Sequence, residues 1–147
     1  MKRLSDMLED PGSSNVYLLG DSLSVEHLEK LTGERGLAFF HLEGRDIRDK
    51  DQFLKKAALA LRFPEYFGNN WDAFSDCLTD MSWHESSGFV ILYDHFDSLA
   101  EHSPRDFEIA LEIFKESAEF WNNQGKALFV LLQGKPIAGI EIPRVRL

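Results

Sequence analysis

The sequence predicts an α/β fold, a single domain in which a small, mostly parallel sheet of three or four strands is packed with helices. Three observations carry this. Short apolar runs bounded by turn residues alternate along the chain with segments of helical periodicity. Two of the runs, residues 37–42 and 127–132, are almost continuously apolar, the pattern of strands covered on both faces. The chain has 147 residues, 44% of them hydrophobic, with 12 Phe and 3 Trp, enough for one packed core without disulfide or metal staples.

Each element has a local reason. Leu4, Met7 and Leu8 suit one or two amphipathic turns, stopped by Pro11-Gly12 and the Ser13-Ser14-Asn15 loop. Residues 16–19 read as a short strand, and Ser24 can cap a helix with Val25, Leu28 and Leu31 on one face that ends at Gly33. After the strand at 37–42, Asp51 can cap a helix carrying Phe53, Leu54, Ala57, Ala58 and Leu61, which must turn near Phe63 because Pro64 follows. A further helix starts at Asn69 or Asn70 and runs to about Met81. Residues 89–93 form the next strand. Ser103-Pro104-Arg105-Asp106 is a strong helix start, with a cap, a first-turn proline and an acid, and that helix runs to about Asn122. Gly125 closes it before the strand at 127–132 and a basic tail bearing Lys135, Arg144 and Arg146.

One stretch concentrates charge. Residues 64–84 contain Glu65, Asp72, Asp76 and Asp80 and no Lys or Arg. On a helical wheel the apolar Trp71, Phe74, Cys77, Leu78 and Met81 share one arc, while the three aspartates fall at about 100° to 180° on the opposite side. Carboxylates at i, i+4 and i+8 repel, at a cost of a few tenths of a kcal/mol per pair, so folding alone would be served better by neutral residues. A solvated helix face and a binding surface both fit this pattern. Tyr66 and Phe67 before Gly68 favour the second, since an aromatic beside acids suits an interface with a basic cleft.

The contiguous run Phe63-Pro64-Glu65-Tyr66-Phe67-Gly68-Asn69-Asn70-Trp71-Asp72-Ala73-Phe74-Ser75-Asp76-Cys77-Leu78 closely resembles the signature of the barstar family of ribonuclease inhibitors. The resemblance extends more loosely over a core at residues 37–133, in the order strand, two helices, strand, helix, strand. Residues 1–36 form an N-terminal extension outside it. It implies a three-stranded parallel sheet and an inhibitor that inserts its second helix and the preceding loop into a ribonuclease active site. In that picture Asp76 mimics the substrate phosphate, Tyr66 is the aromatic anchor, and Asn70 and Asp72 flank them. Asp80 extends the acidic face, and Glu116 matches the family's acidic contact on a later helix. Ser75 departs from the pattern, standing where the best-known inhibitor places an interface tryptophan.

Composition bounds the partners. Sixteen basic against 25 acidic residues give a net charge of −9, which disfavours nucleic acid and anionic membrane and favours a basic protein. The single Cys77 excludes an intrachain disulfide and favours the cytoplasm. No apolar run follows Lys2 and Arg3, so neither a signal peptide nor a transmembrane span is expected. The expected protein is therefore a cofactor-free, non-enzymatic cytoplasmic monomer that occludes a basic ribonuclease. An alternative is an immunity or regulatory module for a different secreted toxin. A third reading, a carboxylate or metal-dependent enzyme joining Asp76 and Asp80 to His84, is weaker, because no recognised metal or nucleophile motif is present and the histidines are scattered. The cationic stretch from Arg45 to Arg62 and the tail after Gly134 have no role in any of these readings.

Overall fold

The computed structural model describes residues 2–20, 23–64 and 68–146. Its strands are β1 (Lys2–Arg3), β2 (Asn15–Leu19), β3 (Ala38–Glu43), β4 (Gly88–Asp94), β5 (Ala127–Gln133) and β6 (Arg144–Arg146). Its helices are α1 (Leu4–Met7), α2 (Val25–Gly33), α3 (Lys50–Ala60), α4 (Trp71–Leu78), α5 (Asp97–His102) and α6 (Pro104–Asn123), with a 3-10 turn at Pro11–Ser13. The α/β class holds. The sheet is larger than the three or four strands expected, with six strands in the order β1-β6-β2-β5-β4-β3.

Every strand pairing is parallel. Ala38 lies beside Phe89 and Glu43 beside Asp94, while Gly88 to Asp94 run alongside Ala127 to Gln133. Parallel neighbours require crossovers, and these place helices on both faces, so the central strands are apolar at nearly every position. On one face Phe40, Leu42, Ile91, Tyr93, Val130 and Leu132 pack with Phe53 of α3, Phe74 of α4 and Phe114 of α6. On the other, Tyr17, Leu19, Leu92, Phe129 and Leu131 pack with Leu4 and Met7 of α1 and Leu28 of α2. The N-terminal extension thus continues the central sheet, with β2 paired to β5 and β6 to β2.

Several caps differ from expectation. Ser24 caps α2 as predicted, accepting from the His27 amide at 3.1 Å. Helix α3 is capped by Asp49, which accepts from the Gln52 amide at 2.9 Å, and not by Asp51, which sits exposed in the first turn. Ser103 makes no side-chain cap; its hydroxyl donates instead to the Arg48 carbonyl at 2.7 Å and ties the start of α6 to the loop before α3. Helix α5, absent from the sequence reading, packs its buried Leu99 and Ala100 ahead of that junction. Helix α4 stops at Leu78, short of Met81, which adopts a left-handed φ of 48°. Among the described residues no helix is long and apolar enough to cross a membrane.

Candidate functional site

The acidic helix is fixed from behind. Asn70 caps α4, its side-chain oxygen accepting from the Ala73 amide at 2.8 Å and its Nδ2 donating to the Gly68 carbonyl at 3.2 Å. Phe74 is fully buried, its ring 5.3 Å from Phe53 and 5.6 Å from Phe114. Trp71 is half-buried against Phe53. At the other end, the Trp121 indole of α6 donates to the Leu78 carbonyl at 2.9 Å, satisfying an orphan acceptor of the helix terminus. Cap, aromatic cluster and indole bond hold the helix at three points along its length.

Its opposite face is open. Asp72, Asp76 and Asp80 are all exposed, and none makes an ion pair among the described residues. Ser75 is half-buried beside them, and its carbonyl accepts from the Thr79 hydroxyl at 2.9 Å. Cys77 lies on the buried side; burial first, and then the negative charges of Asp80 and Asp76, push its thiol pKa up. A raised thiol in an apolar arc is inert packing, the opposite of an activated nucleophile. Glu116 is exposed on α6, the helix that packs on α4 through Phe114 and Trp121. The fold thus gathers Asn70 at the cap and Asp72, Ser75 and Asp76 on one short helix and places Glu116 on its neighbour, whereas Asp80, expected on the same helix, lies in the turn after its end at Leu78. Tyr66, the expected aromatic anchor, lies outside the described residues, as does Glu65.

The metal reading fails on direction. His84 does not join Asp76 and Asp80; its Nε2 donates to the Leu61 carbonyl at 3.3 Å, and its ring packs edge-on against Phe40 at 4.8 Å. Among the described residues no group of three or more His, Cys, Asp or Glu side chains is placed to hold a metal ion.

A second polar cluster was missed by the sequence reading. Asp94, at the end of β4, joins His41 of β3 at 2.6 Å and His95 at 3.0 Å, and accepts from the Gly44 amide at 2.9 Å. Burial pushes the Asp94 pKa up, but the hydrogen bonds from His95, Gly44 and His41, with the charge of His41, outweigh it and hold the carboxyl below its ordinary range. Gly44 cannot be replaced there, since a Cβ would collide with the Asp94 carbonyl oxygen and the Tyr93 ring. This knot clips the ends of β3 and β4 together. It borders a cleft of about 380 Å³ lined also by Arg45, Asp46 and Lys56, so part of the cationic stretch surrounds a local carboxylate. His95 follows Asp94 directly in the chain, but His41 is distant in sequence, and only the β3–β4 register brings it to Asp94.

Comparison with known families accounts for this architecture. The family model described as Barstar (barnase inhibitor) matches residues 37–133, which run from the start of β3 through β5 with α3 to α6 between. The chain belongs to the barstar family, a family of ribonuclease inhibitors. The acidic helix α4 lies inside the matched segment, whereas β1, β2 and β6 lie outside it.

Proposed function

We propose that this protein is a cytoplasmic inhibitor that places α4 and its approach loop into the active-site cleft of a basic ribonuclease. One observation carries the reading: Asp72 and Asp76 on α4 and Asp80 in the turn that follows it are exposed and without an ion pair among the described residues, while the other face of the helix is locked into the core. A surface charge left unpaired on a rigid support is arranged for an external cation. Asp76, in the middle of the row, stands in for a substrate phosphate, and Asn70, Asp72, Asp80 and Glu116 frame it. Tyr66 supplies the aromatic anchor ahead of the helix. The protein does no chemistry of its own and needs no cofactor in this role.

The test is stoichiometric inhibition of a barnase-type ribonuclease, with Asp76→Ala and Tyr66→Ala compared against wild type. Circular dichroism monitors folding. Wild type should inhibit at one-to-one stoichiometry. Asp76→Ala should lose about 2–5 kcal/mol of binding, the loss typical of truncating one partner of a buried charge pair, a class for which barstar's own complex is a standard case. Retained affinity in Asp76→Ala would place the interface elsewhere.

Ser75 favours a second reading, immunity toward a different secreted toxin. A small half-buried serine offers little apolar area at the centre of the acidic face. A folded wild type that leaves a barnase-type enzyme fully active would turn the assignment to such a toxin.

A further inference from the structure

The segment between β5 and β6, residues 134–143, is a strap fastened at both ends. At its start the Lys135 amide donates to Asp97 Oδ1 at 3.2 Å, and Gly134 leaves room for that carboxylate where a Cβ would press on it. At its end Leu18 donates to the Pro143 carbonyl at 2.8 Å and Gly20 to the Val145 carbonyl at 2.8 Å. Between them Ile137, Ile140 and Ile142 turn toward the core without being fully buried. Under the strap lies a cavity of about 550 Å³, walled by these three isoleucines on one side and by Leu18 and Phe96 on the other. Its volume falls in the range of small-molecule sites, which are concave and mostly apolar with few polar groups. Leu18 closes β2 against the tail and Phe96 follows β4, so the cavity opens at the carboxyl ends of parallel strands, where α/β sheets hold their ligands.

Two charged residues also line it, Glu141 and Arg144, both exposed and neither in an ion pair among the described residues. Along residues 134–146 Lys135, Arg144 and Arg146 outnumber Glu141, in a chain whose net charge is −9, and the Asp97 carboxylate at the strap's start is taken up by the Lys135 amide. A guanidinium beside an apolar cavity matches a planar anion carried on a hydrophobic body. Every wall except Phe96 comes from the extension or the tail, outside residues 37–133. We propose that this cavity is a binding site for a small apolar carboxylate, its hydrocarbon against the isoleucines and its carboxylate on Arg144. The site shares no residue with α4, so it stands or falls apart from the inhibitor reading.

The experiment is an NMR titration of the full ¹⁵N-labelled chain with octanoate, octanol and octylammonium, repeated for Arg144→Gln, Arg144→Lys and Ile140→Trp. Octanoate should shift the amides of Leu18, Phe96, residues 137–142 and Arg144 saturably, and octanol should bind more weakly at the same amides. Arg144→Gln should weaken octanoate about tenfold or more, the loss of one charge-assisted contact, with partial recovery in Arg144→Lys. Ile140→Trp, which fills the cavity, should abolish the shifts while the α4 amides keep their positions. Octanol binding as tightly as octanoate, or an unchanged affinity in Arg144→Gln, would overturn the carboxylate assignment. Absence of any saturable shift with octanoate would overturn the site.

Discussion

Asn70 and Asp76 share one short helix, yet their substitution should be read in different assays. Asn70 satisfies an orphan amide, so Asn70→Ala should cost about 1 kcal/mol of folding stability, measured by urea denaturation. Asp76 is exposed and unpaired, so Asp76→Ala should change stability by less than about 0.5 kcal/mol while removing most of the inhibition. Asp94 gives a third signature, in pH. Its folded pKa lies below the unfolded value, so the ionised form stabilises the fold, and that contribution is complete above about pH 4 and is lost as pH falls through the folded pKa. The stability gap between wild type and Asp94→Asn should therefore be constant near neutrality and narrow steadily below pH 4. A gap independent of pH would mean that the carboxylate's charge contributes nothing to the clip.

At the scale of elements, α4 is held by α6 through one indole bond as well as by its own aromatic face. Trp121→Phe keeps most of the buried ring but leaves the Leu78 carbonyl without its donor, at a cost of about 1–3 kcal/mol, and fraying should appear as faster amide exchange at the end of α4. The opposed faces of α4 were legible because helical periodicity and charge both report them locally. So were β2 to β5 and the helices α2, α3 and α6 between them, whose apolar runs and punctuation are strong, though not the short α5. What escaped was set by distant partners. Strand β1 has two exposed residues and β6 only one buried residue, Val145, so neither carries a pattern; β6 becomes a strand because the edge of β2 is available to pair, and β1 because β6 then offers its own edge. Asp49 rather than Asp51 caps α3 because Gln52 reaches back to the Arg48 amide and sets the first turn there. The Asp94 clip was invisible for the same reason as β6, since sheet register brings His41 and Gly44 to Asp94.

Across the whole molecule acids are spread widely, with several on α2 and α6, but residues 68–84 carry Asp72, Asp76 and Asp80 and no Lys or Arg, while Lys50, Lys55 and Lys56 lie on α3 and Lys135, Arg144 and Arg146 along the tail. A net charge of −9 would accelerate encounter with any basic protein, but a local field would also orient it, and the two contributions can be told apart. Association with a basic ribonuclease, followed by stopped-flow, should slow more than tenfold as ionic strength rises from about 0.02 to 0.3 M, because exposed charges are screened beyond a Debye length of about 5–6 Å at the upper end. Asp80→Asn and Glu9→Gln remove the same single charge from exposed positions, the first on the acidic face and the second near α1. Asp80→Asn should flatten the salt dependence and lower the low-salt rate several-fold, whereas Glu9→Gln should leave both nearly unchanged. Equal effects from the two substitutions would show that total charge drives the encounter and that the acidic surface does not aim it; unequal effects in the stated direction would place the steering on the surface formed by α4 and the turn after it, whose aspartates make no ion pair among the described residues.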